Sequence, residues 1–383
     1  MSREFHRDIF FVRKNVTIND IQKIMEEWFP AGIAWKGDNI GLQIGRPETT
    51  VKNILVALEA TMDVVEEAKQ KNANLIVTHH PLIFQPLRSI TPQTPVGAIA
   101  LALAESGIAL YAAHTNLDSA RGGVNDVLGA VLGLLNARVL SPLEGRLKKI
   151  AVFVPRTHVE QVADAMYAAG GGGFIKYAEC SFRSDGIGTF KGTNDARPFL
   201  GSVGVLERAE ETKLEMLVPG WKASSVVRAM LAAHPYEEVA YDVYPIENTN
   251  PEFGLGVIGT LPKPMSAKKF LLHVKKVLGT PMLRTAGRTD GIISTVAACG
   301  GSGAEFIELA ARQQADAYVT SDLKYHTMQE APHDLLLVDA GHYETERPVL
   351  PVLTERLQKF VRHQKAKVRV FTTTHKTTTI ETI

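Results

Sequence analysis

Apolar positions along the chain fall into blocks with two different periods. The run "NILVALEA" is almost continuously apolar and reads as a buried strand. In "TMDVVEEAKQKNA" the apolar residues recur at helical spacing, and "NLIVTHH" returns to strand formers. Together these predict a β-α-β unit on a parallel sheet, extended by the helix "PVGAIALALAESG" and the strand "IALYAAHTNLD". Upstream, Thr17 or Asn19 can cap a helix over "INDIQKIMEEWFP" that Pro30 ends. The loop "WKGDNIGLQIGRPE" follows, with Asp38 and Asn39 set to line a cleft or to fix a buried loop.

From about Lys148 the texture changes. "KKIAVFVP", a helix over "HVEQVADAMYAAG", the run Gly170 to Gly173 and strand-rich sequence to "HPYEEVAYDVYPIEN" predict β-α-β-β-α-β, a ferredoxin-like α+β pattern. "TNPEFG" reads as a linker, and the α/β texture then returns. The final third has a strand "GIISTVAACGGSG", a helix "AEFIELAARQQA", strands "DAYVTSD" and "DLLLVDAGHYETE", and a last helix "PVLPVLTERLQKFV". The expected organisation is a discontinuous α/β domain from residues 1–146 and 250–383, interrupted by an inserted domain at 147–249.

The outer segments repeat one another. "ANLIVTHH" aligns with "ADAYVTSD" without a gap, so His80 stands opposite Asp322. "ALYAAHTNLD" aligns with "LLVDAGHYETE", pairing His114 and Asp118 with His342 and Glu346. Each half thus offers a histidine and, four residues on, a carboxylate. Facing halves would bring His79, His80, Asp118, His342 and Glu346 to one cleft at the carboxyl ends of strands, where open α/β sheets bind ligands. His79 and His80 raise a geometric difficulty, because neighbours in a strand point to opposite faces. Ending the strand at about Thr78, before Pro81, removes it.

Composition narrows the chemistry. With 383 residues and a formal net charge of +1, the chain shows no basic run that would favour nucleic acid or lipid. Charged residues break up "MSREFHRDIFFVRKNVTIND", so no signal peptide is expected and the cytoplasm is the expected compartment. Cys180 and Cys299 lie too far apart for a CxxC knuckle, leaving nitrogen and oxygen donors. Histidine with Asp and Glu suits zinc, iron or manganese. Five such groups exceed the needs of one ion and fit two divalent ions sharing a carboxylate, with Asp118 or Glu346 able to bridge. His114 matches His342 by symmetry and is assigned either to orienting a ligand or to carrying a proton. His326 in "SDLKYH", or Asp322, is set to contact substrate or orient a ligand. "CGGSG", Cys299 to Gly303, is a tight turn or a weak candidate for phosphate binding.

The motifs "GDNIGLQIG", "THHPLIF", "HTNLD", "CGGSG", "SDLKYH" and "GHYETE" resemble, in order, those of the GTP cyclohydrolase 1 type 2 homologs, the Nif-three-like dinuclear metal proteins. The likeness spans both outer segments; the extended N-terminus is not part of the family pattern. It implies a duplicated α/β metal-binding domain with His79, His80, Asp118, His342 and Glu346 as ligands of two divalent metal ions. It also implies an inserted PII/CutA-like domain and a toroidal homohexamer with its metal sites facing an internal cavity. The activity expected is a metal-dependent hydrolase of a nucleotide-like or small phosphorylated substrate, extending to GTP ring opening, with His114 or His326 assisting proton transfer. The alternative is a metal-binding regulatory or scaffold protein whose insert senses a small molecule or gates the cavity.

Overall fold

A computed structural model describes residues 15–173 and 175–380. The N-terminal extension, with its charged run, lies outside the described residues up to Lys14. The chain runs α1 (Ile18–Trp28), β1 (Gly41–Ile44), β2 (Asn53–Ala57), α2 (Met62–Gln70), β3 (Leu75–Thr78), α3 (Pro95–Glu105), β4 (Ala109–Ala112), α4 (Thr115–Ser119), α5 (Val124–Val131) and β5 (Leu135–Leu143). It continues as β6 (Leu147–Pro155), α6 (Val159–Ala168), β7 (Phe182–Lys191), β8 (Leu206–Pro219), α7 (Ala223–Ala233) and β9 (Tyr241–Ile246). The last part is β10 (Asn250–Ser266), α8 (Ala267–Leu278), β11 (Arg284–Gly287), β12 (Ile292–Ser302), α9 (Ile307–Arg312), β13 (Ala317–Ser321), α10 (Tyr325–Gln329), β14 (Leu336–Asp339), α11 (His342–Glu346), α12 (Val349–His363) and β15 (Arg369–Thr372).

Two compact units result: one from the segments up to Ser141 and from Leu255 onward, the other from Pro142–Gly254. The first unit holds two sheets, ordered β1-β4-β3-β2-β15 and β11-β14-β13-β12-β10-β5. Four strands run parallel in the first (β15, β2, β3, β4) and three in the second (β12, β13, β14), and in each an antiparallel strand, β1 on β4 or β11 on β14, closes one edge. The shared order β1-β4-β3-β2 and β11-β14-β13-β12 is the duplication in three dimensions. Both parallel cores have continuously buried strands, as expected of sheets covered on two faces. Local signals set the helix starts. Thr17 caps α1 in a reciprocal box with Asp20, and Thr94 caps α3 ahead of Pro95 at its first turn.

The second unit has the antiparallel sheet order β7-β8-β6-β9, with α6 and α7 packing Val162, Met166, Val226 and Met230 into its core. Its β-α-β-β-α-β succession is the one expected from the sequence. Two expectations differ in part from the structure. "TNPEFG" lies at the boundary between the two units, as expected of a linker, but from Asn250 it is extended as the start of β10. The segments "HTNLD" and "HYETE" leave their strands and form the one-turn helices α4 and α11.

Candidate metal centre

β3 ends at Thr78, and the next two residues keep their backbone tied to the end of β2: His79 N–H donates to Ala57 O (3.2 Å) and His80 N–H to Leu58 O (2.8 Å). Their rings nevertheless lie side by side, with centroids 4.7 Å apart and planes inclined by 40°. Beyond the strand the up-down rule lapses, and both imidazoles serve one site. In the other half, α11 places His342 and Glu346 four residues apart, on the same face of one helical turn.

Each of the three imidazoles is held through Nδ1. His79 Nδ1 is 2.9 Å from Ala113 O, His80 Nδ1 is 3.0 Å from Glu59 Oε1, and His342 Nδ1 is 2.6 Å from Asp322 Oδ2. A carbonyl or carboxylate oxygen only accepts, so Nδ1 carries a proton and Nε2 points inward, where its lone pair can serve an ion or take a second proton. His80 Nε2 and His342 Nε2 then face each other at 3.4 Å. Glu346 lies between them: Oε1 is 3.0 Å from His342 Nε2 and 3.6 Å from His79 Nε2, and Oε2 is 3.1 Å from His80 Nε2. Asp118 Oδ1 stands 3.5 Å from His79 Nε2.

Inward lone pairs at this spacing require a positive charge among them. Donors bound to a common ion at about 2.1 Å in tetrahedral geometry would be separated by about 3.4 Å. Three buried atoms, His79 Nε2, Asp118 Oδ1 and Glu346 Oε2, make no hydrogen bond, and the 3.1 Å approach of His80 to Glu346 Oε2 lacks hydrogen-bond geometry. Buried polar atoms left without a partner are costly unless an ion or proton satisfies them. His79, His80 and Glu346 together form a group able to hold a metal ion.

The titration behaviour follows from the same crowding. Burial works against charge on His80, but the Glu346 and Glu59 carboxylates outweigh it and raise its pKa to about 9. Burial likewise opposes charge on His342, yet Asp322 and Glu346 push it up to about 10. Glu346 would be raised by burial, but His79, His342 and His80 hold it well below the usual carboxylate range. Asp118, buried and close to Glu346, is raised in spite of His79. Without a metal, the cluster stores protons where cations would sit.

His114 stands beside the group without entering it, its ring centroid 5.4 Å from His79 and 5.5 Å from His80. Its Nδ1 lies 2.9 Å from Asp38 Oδ1, while Asp38 Oδ2 accepts from the Thr115 backbone and hydroxyl. Burial opposes ionisation of Asp38, but these hydrogen bonds dominate and bring its pKa to about 2. Asp38 therefore lines the cleft and fixes the loop at once. His114, Asp118, His342 and Glu346 border a cavity of about 270 Å³ walled by Trp35, Phe84 and Phe306. His326 is not brought to this group; it is exposed on α10 with its ring edge against Tyr325. Glu59 escaped the sequence reading, although its place just past the end of β2 was a usable signal. "CGGSG" belongs largely to β12, the tight turn following at Gly303 before a short helical stretch at 304–312. A Cβ on Gly301, at φ +65°, would collide with Glu346 Oε1, so this glycine gives Glu346 its space.

A duplicated α/β fold with imidazoles and carboxylates converging beyond its strand ends defines the class: an α/β protein with a candidate metal centre. The chain belongs to the Duf34/NIF3 (NGG1p interacting factor 3) family, whose model matches residues 16–378. It is 42% identical over 360 residues to a Bacillus subtilis protein named GTP cyclohydrolase 1 type 2 homolog, covering 94% of this chain and 96% of that one. A crystal structure of a Bacillus cereus protein related to NIF3 matches with a TM-score of 0.85 at 40% identity, covering 97% of this chain and all of that one. A Staphylococcus aureus protein of solved structure matches with a TM-score of 0.77 at 30% identity, over 96% of this chain and 99% of that one. Among the described residues no helix is long and apolar enough to cross a membrane.

Proposed function

We propose that this chain is a metal-dependent hydrolase with a centre for two divalent ions, zinc, iron or manganese, shared by its two halves. One observation carries the reading: three imidazoles locked to present Nε2 converge on Glu346 at the wall of an open cavity. A purely structural site would be closed on all sides. His79, His80, His342, Glu346 and Asp118 would hold the ions, with Glu346 the bridging candidate because both its oxygens face imidazoles. The bound ions would supply Lewis acidity and a water acidic enough to attack at neutral pH.

The remaining steps fall to the chain's own side chains. His114, anchored by Asp38, leaves Nε2 to take or return a proton at the cavity wall. Trp35 and Phe84 exclude water from an apolar or planar part of the substrate, and Lys36, another lining residue, suits a phosphate or carboxylate. A nucleotide-like or small phosphorylated compound meets these demands, and the name of the Bacillus subtilis relative brings GTP ring opening into the same range. The hexameric ring, the cytoplasmic setting and the PII/CutA-like character of the insert belong to this proposal too. The sheet order of the Pro142–Gly254 unit supports the last of them.

The test is turnover of GTP and a panel of phosphorylated metabolites by metal-loaded protein, with Glu346→Ala as control. Hydrolysis that vanishes in Glu346→Ala supports the reading. A metal-replete protein with no turnover on any panel member contradicts it.

A further inference from the structure

The Pro142–Gly254 unit contains a cavity of about 660 Å³, within the range of about 300 to 1,000 Å³ usual for small-molecule sites. Three aromatic rings form one corner of it. Phe190 and Phe199 flank Tyr236, with centroid separations of 5.9 and 6.1 Å and inclinations of 60° and 47°. Behind Tyr236 stands Glu211, a carboxylate only 8% exposed, whose Oε1 accepts the Tyr236 hydroxyl at 3.0 Å. Its Oε2 accepts no hydrogen bond from any described residue. That oxygen packs against Gly188 in β7, where a Cβ would collide with it, so the strand has been cut back at this point to admit the carboxylate.

The charge around the cavity is predominantly negative. Four carboxylates line it, on Asp195, Glu211, Glu237 and Glu238, against one ammonium, on Lys191. Among the described residues none of the four is paired with a Lys or Arg side chain. Glu237 gives one oxygen to the backbone N–H of Arg197 (2.6 Å). A carboxylate taken out of water without a cation is costly, and rings presenting their faces attract cations. We propose that this cavity binds a small organic ammonium ion, its charge set against Glu211 and the faces of Tyr236, Phe190 and Phe199 and its short apolar body filling the remaining space. This site does not depend on the metal centre.

The test is calorimetric titration of the full-length protein with choline, with n-butylammonium and with 3,3-dimethyl-1-butanol, a neutral isostere of choline. Both ammonium ions should bind and the neutral alcohol should bind at least about tenfold more weakly. Glu211→Gln should lower choline affinity by roughly tenfold. Glu211 is buried and its variant can fail to fold, so the half-exposed Phe199 supplies a second probe: Phe199→Leu should lower choline affinity about threefold or more. The proposal is overturned if neither ammonium ion binds, if the alcohol binds as tightly as choline, or if Phe199→Leu binds choline like the unmodified chain.

Discussion

The two halves of the outer unit are built alike and equipped differently. His114 and His342 are equivalent by sequence, and both are held through Nδ1 by an aspartate. For His342 that aspartate is Asp322, at the end of the neighbouring strand β13; for His114 it is Asp38, from the loop before β1. The positions of the two strand-end histidines of the first half, His79 and His80, are taken by Ser321 and Asp322 in the second. Repetition has therefore split the labour. The first half contributes two imidazoles, the Asp118 carboxylate and a poised bystander to the proposed centre, and the second contributes one imidazole and the central carboxylate. Glu346 is also one methylene longer than Asp118, which lets it reach three imidazoles where Asp118 approaches one.

Breaking this asymmetry should produce graded losses. Glu346→Ala has the largest expected effect, removing metal almost entirely, because both oxygens of one side chain serve three imidazoles. Asp118→Ala should retain part of the metal, a difference read by elemental analysis of dialysed protein. His342→Ala and His114→Ala form the next pair: the first should lower metal content sharply, and the second should leave it near the unmodified value while depressing turnover. The partners that hold the rings come third. Asp322→Asn should weaken metal binding by roughly 10- to 100-fold, whereas Asp38→Asn should act mainly on His114 and spare it. Chelator competition distinguishes the two.

The smallest effect concerns how the halves are fastened. β15, from the C-terminal segment, adds to the first sheet beside β2, and Glu67 of α2 locks the residues after it. The Thr373 hydroxyl, the Thr374 backbone and the Thr374 hydroxyl all donate to the Glu67 carboxylate. Burial would raise its pKa, but these donors and Lys71 prevail and lower it. A carboxylate with a folded pKa below its unfolded one stabilises the fold above the unfolded value, near 4.5, and loses that contribution as pH falls through the folded value. Glu67→Gln should cost about 2 kcal/mol at neutral pH and flatten the acid limb of a pH-dependent unfolding curve. An unchanged acid limb would remove Glu67 as the fastener.

What could be read along the chain was whatever has a short sequence period or a distinctive residue at an element's end. The parallel strands, the repeat and the histidines at 79, 80 and 342 are of this kind. β15 was not legible, since "RVFT" is four residues among charged and threonine-rich neighbours and becomes a strand only because β2 leaves an edge open. The one-turn helices α4 and α11 were hidden because spacing of four keeps two side chains on one face in a strand as well as in a helix. Glu59, and the division of Asp38 and Asp322 between two histidines, depend on contacts made across 20 to 76 residues of sequence. The cavity of the inserted unit joins Gly188 and Glu211 from two strands and Tyr236 from a loop, and no local spacing announces it.

The central claim is that two ions sit between the halves with Glu346 shared. The most direct measurement is metal content per chain of the natively purified protein, taken beside Glu346→Ala after exhaustive dialysis. We expect two equivalents of a divalent transition metal in the first and close to none in the second. A metal-free protein that takes up none on reconstitution, or a Glu346→Ala protein that keeps both equivalents, would contradict it.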